Sequence, residues 1–366
     1  MTNKRFIPFL ISGIDSLGQG VSKLSERVTF IPKTTIGDEG EAEVMSEKKG
    51  VAFARLKTLN KSAASRIRPL CEHFDSCPSC HFQHVSYEEE LQFKKESFKR
   101  LMRKLPLPEV EVIGAPQRLN YRNRIQLHYS LKSKLIGMRD PQTFSITPIP
   151  ECLIGLNEIK REVKRLYENE QWIKEAPLFP LEGHVEIYWF NDELNLSWNR
   201  PYAEGGFTQV YESMNQKLKT ILKDSCTHSS PLHILDLFGG NGNLSDQIPF
   251  SERLVVDIYR DTKGLEFINQ DLYSADALKK VAKEITQRGL KINHLLLDPP
   301  RSGLKELKLW IETIKPEKVV YVSCDPHTMA RDLADLEGYN YNRSFLFDFF
   351  PSTFHFESMI FLERKG

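Results

Sequence analysis

The feature that most constrains the fold is an alternation beginning near Pro231, in which short apolar runs are each followed by a turn and often a helical stretch. The runs are Ile234–Phe238, Leu254–Asp257, Leu265–Asn269, His294–Asp298 and Val319–Ser323. The helical stretches are Ala275–Arg288, Lys305–Ile314 and Met329–Leu336. Most of the runs are continuous in Leu, Ile and Val, as expected where both faces of a parallel sheet are buried. Residues 206–366 are therefore expected to form a doubly wound, Rossmann-like α/β domain, with Phe345–Phe349 and Ser358–Glu363 as closing strands. Such sheets bind ligands beyond the carboxyl ends of their strands, so functional residues are sought there.

Upstream the texture differs. Residues 1–60 carry apolar runs such as Val28–Ile31 and Val51–Leu56 between turns such as Leu17-Gly18-Gln19-Gly20, the spacing of a small five-stranded barrel. Residues 61–205 form a central region. It opens with a polar, basic linker and a cysteine cluster, continues with a helix over Glu88–Leu105 stopped by Pro106, and then reads as mostly β. A hairpin is expected from His184–Phe190 and Leu194–Trp198 around Asn191-Asp192. The absence of any run of about 18 apolar residues excludes a helical membrane span, and a cytoplasmic monomer is the expectation.

The overall charge, 50 basic against 49 acidic residues, says little, but its distribution says more. Residues 1–140 carry 24 basic against 16 acidic side chains, so the remainder is acidic. Lys48–Arg68 holds seven basic residues and Arg118–Arg139 six, neither with an acidic one. Stripes of this kind suit a polyphosphate partner such as RNA.

Several strand ends carry chemistry. Leu235-Asp236-Leu237-Phe238-Gly239-Gly240-Asn241-Gly242-Asn243 closes the first strand with glycines that let the backbone turn close to a ligand. Asp257 closes the second strand, where a carboxylate can take both hydroxyls of a ribose; this pair of features serves NAD or S-adenosyl-L-methionine, the latter favoured. The fourth strand ends in Asp298-Pro299-Pro300-Arg301. The fifth delivers Cys324 at its mouth, where a thiolate can add to carbon 6 of a pyrimidine and make carbon 5 nucleophilic. Glu357, just before the last strand, is the candidate base for the carbon 5 proton. Cys71, Cys77 and Cys80, in a C-x5-C-x2-C spacing, together with Cys152, could hold zinc or an iron–sulfur cluster.

Through these segments the chain resembles the RNA uridine-5 methyltransferases, which modify bacterial 23S ribosomal RNA and transfer RNA. The segments are Phe207–Val210, Leu235–Asn243, Leu297–Gly303, Val322–Asp332 and Phe349–Met359, with Asn120–Arg124 and Gly137–Arg139 upstream. The resemblance implies S-adenosyl-L-methionine as cofactor, Cys324 as nucleophile and Glu357 as base. It implies cofactor contacts from Gln209, Phe238, Asn243, Asp257, Asp271 and Asp298, with Gln209 also near the target base. It further implies a TRAM-like RNA-binding barrel and a 4Fe-4S cluster on Cys71, Cys77, Cys80 and Cys152, and favours 23S ribosomal RNA, with transfer RNA the alternative. A cytosine-5 enzyme normally has a cysteine where Arg301 stands, and an amino-group methyltransferase an aromatic residue. A non-catalytic RNA-binding factor would leave Cys324 and Glu357 without a role. One departure stands out: only seven residues separate Asp257 from Leu265, where relatives usually place a helix.

Overall fold

The computed structural model describes residues 4–201, 209–226, 232–258 and 266–366. In chain order the strands are β1 (Phe6–Ile14), β2 (Gln19–Ser22), β3 (Val28–Pro32), β4 (Glu39–Lys48) and β5 (Val51–Lys61), followed by helix α1 (Tyr87–Met102). Next come β6 (Glu111–Ile113), β7 (Arg124–Ser130), β8 (Leu135–Arg139), β9 (Ile146–Thr147), α2 (Asn157–Tyr167), α3 (Gln171–Glu175), β10 (Glu182–Phe190) and β11 (Glu193–Trp198). The remainder is α4 (Glu212–Cys226), β12 (His233–Leu237), β13 (Glu252–Asp257), β14 (Phe267–Asn269), α5 (Ala277–Gln287), β15 (His294–Leu297), α6 (Leu307–Ile314), β16 (Lys318–Ser323), α7 (Pro326–Leu333), β17 (Tyr339–Phe347) and β18 (Glu357–Arg364).

The chain divides into two compact units: residues 1–94, 116–212 and 350–355 in the first, and 95–115, 213–349 and 356–366 in the second. The first unit begins with the expected barrel, closed in the order β1-β2-β3-β5-β4. Alternation along β1 turns Ile7, Phe9 and Ile11 inward against Ile31, Ala42 and Ala54. A second, antiparallel sheet runs β11-β10-β7-β8-β9. One face of it packs Ile125, Leu127, Val185 and Ile187 against Ile159, Val163 and Leu166 of α2, residues spaced at helical intervals on one side. The mostly β expectation for this stretch left out α2 and α3, and no helix was expected at α4.

The second unit is an eight-stranded sheet ordered β14-β13-β12-β15-β16-β18-β17-β6. Strands β12 to β16 are parallel, and β18 enters antiparallel beside β16. The expected continuous runs are buried end to end, as in Leu295, Leu296 and Leu297 of β15 and Val319 to Ser323 of β16. From β12 the order proceeds to β13 on one side and to β15 on the other, so a crevice opens at its carboxyl end. Strand β14 does pair parallel with β13, across the short connection noted in the sequence. Residues 259–265 of that connection lie outside the described residues. No helix among the described residues is long and apolar enough to cross a membrane.

Candidate active site and cysteine site

In the second unit, sheet register sets the candidate nucleophile opposite the candidate base. Ser323 of β16 pairs with Ser358 of antiparallel β18, so Cys324, one residue beyond, meets Glu357, one residue before. Burial pushes the Cys324 thiol up to about 12, and the carboxyls of Glu357 and Asp298 push it the same way. Arg301 opposes them, through its charge and a hydrogen bond to the thiol. Glu357 is 4% exposed and is held well above the usual carboxylate range, first by burial and then by Asp298; Arg301 again pulls the other way. Burial thus disfavours the charged form of both candidate groups, and one guanidinium favours it. Sequence reasoning used Arg301 only to argue against other methyltransferases, and its hydrogen bond to Cys324 gives it a place in the site.

The loop that carries Asp298 and Arg301 is pinned from α7. Asp332, fully buried, accepts hydrogen bonds from the Leu304 amide at 2.6 Å and from the Tyr321 hydroxyl at 2.7 Å. Arg331 donates to the Ser302 carbonyl at 2.7 Å. At Gly303 (φ +68°) a Cβ would stand 2.3 Å from the Asp332 carboxylate, so only glycine fits. The turn after Cys324 is fixed by Asp325, which caps α7 by accepting from the His327 and Thr328 amides at 2.9 and 3.2 Å, with Pro326 in the first turn.

The remaining candidates of this unit gather around the end of β12. Asp257 accepts from the Gly240 amide at 2.9 Å. Gly239 is required because a Cβ there would lie 2.7 Å from both Asp236 and Val255. Phe238, in the left-handed region at φ +60°, has its ring centre 5.5 Å from that of Tyr273, the two rings tilted by 45°. Asn243 exchanges side-chain hydrogen bonds with Asn215 of α4 at 3.0 and 3.1 Å. Asp271 receives the Tyr273 amide at 2.9 Å in the turn after β14. Burial raises Asp236 to about 7, while the hydroxyl of Ser245 draws it down. Asp298 also stands at about 7, raised by burial and by the charges of Asp236 and Asp257. Such a row of acids favours a cationic ligand. Gln209 belongs to the first unit, where its carbonyl accepts from Asn123 at 3.1 Å. Phe207 and Thr208 of its motif lie outside the described residues.

In the first unit Cys71, Cys77, Cys80 and Cys152 are all free thiols and line one cavity. No group of three or more His, Cys, Asp or Glu among the described residues forms a site for a single metal ion. The donor set nonetheless fits a cluster. Burial raises Cys71, Cys80 and Cys152, with Cys152 at about 11, and the neighbouring thiols add to each shift. Four cysteines around one cavity, three of them with thiols raised by burial, are a donor set that a cationic iron core would stabilise as thiolates.

Residues 266–365 match the family tRNA (Uracil-5-)-methyltransferase. The 23S rRNA (uracil(1939)-C(5))-methyltransferase RlmD of Marinomonas sp. (strain MWYL1) is 28% identical, over 98% of this chain and 94% of its own. That of Shewanella woodyi is 26% identical, over 96% and 95%. Among solved structures, the Pyrococcus abyssi tRNA (uracil-54, C5)-methyltransferase in complex with S-adenosyl-L-homocysteine superposes with a TM-score of 0.69 at 20% identity, covering 97% of this chain and all of that one. The family match and the full-length relatives agree on one enzyme class, RNA uracil-C5 methyltransferase, and the shared fold accords with it.

Proposed function

We propose that the chain transfers a methyl group from S-adenosyl-L-methionine to carbon 5 of a uridine in RNA, with 23S ribosomal RNA favoured over transfer RNA. The observation that carries the reading is the register of β16 against β18, Ser323 opposite Ser358, which brings Cys324 and Glu357 together with Asp298 and Arg301. S-adenosyl-L-methionine supplies an electrophilic methyl on a cationic sulfonium. Cys324, half-buried and hydrogen-bonded by Arg301, loses its proton to water and adds through sulfur to carbon 6. The carbon 5–carbon 6 electron pair moves onto the ring carbonyl, and carbon 5 then takes the methyl, releasing S-adenosyl-L-homocysteine. Glu357, in the carboxylate form that Arg301 favours, removes the carbon 5 proton, and the returning electrons expel the Cys324 thiolate and restore the double bond.

In the same proposal Phe238, Asn243, Asp257, Asp271 and Asp298 hold the cofactor and Gln209 contributes to it. Residues 1–60, as a TRAM-like barrel, and 61–205 serve RNA binding, and 206–366 the chemistry. Cys71, Cys77, Cys80 and Cys152 hold a 4Fe-4S cluster that organises the central region. The setting is cytoplasmic and the protein acts as a monomer. Methyl transfer from labelled cofactor to 23S ribosomal RNA and to transfer RNA, each lacking the modification, tests the reading. Label should appear as 5-methyluridine in one of them, preferentially the ribosomal RNA. Label in neither, or in another base, overturns it.

A further inference from the structure

We infer that Lys33, in the turn after β3 of the barrel, is a clasp and counter-charge for the cysteine site, so that retention of the cluster depends on a side chain outside its ligand set. The inference rests on the cluster reading above. The Lys33 ammonium donates to three main-chain carbonyls of the loop between Cys71 and Cys80: those of Phe74, of Asp75 at 3.0 Å and of Cys77 at 2.9 Å. It also lies 5.1 Å from the centre of the Phe74 ring. Three acceptors exhaust the donors of an ammonium, and together they gather the loop that presents Cys77.

The backbone of Lys33 identifies the side chain as the reason for the residue. Its φ is +62°, a region that glycine or asparagine occupies far more readily than lysine. The conformation is held from behind. Arg66 donates to the Lys33 carbonyl at 3.2 Å and to the Asp38 carboxylate at 2.5 Å, and Asp38 receives the Thr35 and Ala63 amides, each at 2.9 Å. A strained residue kept in place by several partners is a reason to look for a function. Here that function is electrostatic. Burial draws the Lys33 ammonium below the usual lysine range, and attraction to Cys77, Asp75, Cys80 and Cys71 pulls it back up, whereas Glu72 and Glu151 add negative charge beside Cys71. A 4Fe-4S core with four thiolates is anionic, and a fixed positive charge beside it favours both its retention and its reduced state.

The test compares wild-type protein, Lys33→Met and Lys33→Gly, purified without oxygen as full-length chains. Iron and sulfide content, the cluster's reduction potential and thermal melting are measured on each. Glycine relieves the turn's backbone and methionine keeps the length of the stem, so a residue that merely forms the turn predicts wild-type iron content in the glycine variant. The inference predicts that both variants lose cluster to air several-fold faster, and that what remains reduces at a more negative potential, while the glycine variant melts no lower than the methionine one. Wild-type retention and potential in both variants overturn it. A wild-type protein that takes up no iron removes the cluster reading itself, and this inference with it.

Discussion

At the scale of residues, the proposed nucleophile and base are both raised by burial and share one opposing guanidinium, that of Arg301. Cys324→Ala should abolish methyl transfer and leave cofactor binding largely intact. Glu357→Gln should still attack and methylate but release slowly, accumulating a protein–RNA adduct that survives a denaturing gel. RNA bearing 5-fluorouridine should trap unaltered enzyme in the same way, since fluorine cannot leave as a cation. Absence of an adduct in both experiments, or substantial activity of Cys324→Ala, contradicts covalent catalysis. Arg301 makes a separable prediction. Its guanidinium is the opposing influence on a thiol raised to about 12, so Arg301→Ala should raise the thiol further. Alkylation of Cys324 at pH 9 should then slow by roughly tenfold, because a thiol titrating above the working pH loses thiolate in proportion as its titration moves up. The acids around β12 predict a dependence on ligand charge. Asp298 and Asp236 stand at about 7 and ionise as pH rises from 6 to 8. Affinity for the cationic S-adenosyl-L-methionine should therefore rise over that interval, and affinity for the neutral S-adenosyl-L-homocysteine should stay nearly flat. Calorimetry at three pH values checks this, and parallel curves for the two ligands count against it.

At the scale of elements, α7 holds in place the loop that carries Asp298 and Arg301. The Asp332 carboxylate has no exposure and satisfies both the Leu304 amide and the Tyr321 hydroxyl, so Asp332→Ala leaves two buried donors unpaired. The loss should be about 2–4 kcal/mol in urea unfolding, with a larger fall in kcat than Tyr321→Phe, which removes one donor cleanly. Equal, small effects from the two substitutions would mean that the loop is fixed otherwise. The same elements show what sequence can convey. Strands β12, β13, β15 and β16 were legible because a strand buried on both faces has to be continuously apolar, and the position of Cys324 just beyond β16 because it follows such a run. The fixing role of Asp332 was not legible, because an aspartate in a helix reads as solvated until the fold brings a tyrosine and a loop amide to it. Helices α2 and α4 did carry a signal: Ile159, Val163 and Leu166, and Met214, Leu218 and Leu222, each lie on one helical side. The short strand β6 carried none, since three residues at a sheet edge have no periodicity, and only its pairing with β17 reveals it.

At the scale of the whole molecule, the question is which positive charges remain available to RNA once the chain has folded. The two basic stripes are less uniform than the sequence implies. In Lys48–Arg68, Arg55 pairs with Glu43, Lys61 with Glu39 and Arg66 with Asp38, which is fully buried. In Arg118–Arg139, Arg118 pairs with Glu90 and Arg124 with Glu186, both carboxylates buried. Arginines tied to buried acids hold the fold together and have little left to offer a phosphate. Lys57, Arg68, Lys132 and Lys134 are exposed and stand outside these ion pairs. Charge reversal should therefore separate the two groups. Lys57→Glu with Arg68→Glu should leave melting within about 0.5 kcal/mol of wild type and weaken RNA binding. If both contact phosphates, the slope of log affinity against log salt should flatten by about 1.5, at roughly 0.7–0.9 per contact. Arg66→Glu should do the opposite, destabilising the first unit because it sets a second carboxylate against buried Asp38 and withdraws the donor from the Lys33 carbonyl. Filter binding across a salt series, run beside melting of each variant, decides the matter. A salt slope unchanged by the double reversal would show that Lys57 and Arg68 only solvate the surface, and RNA contact would then have to be sought at Lys132 and Lys134.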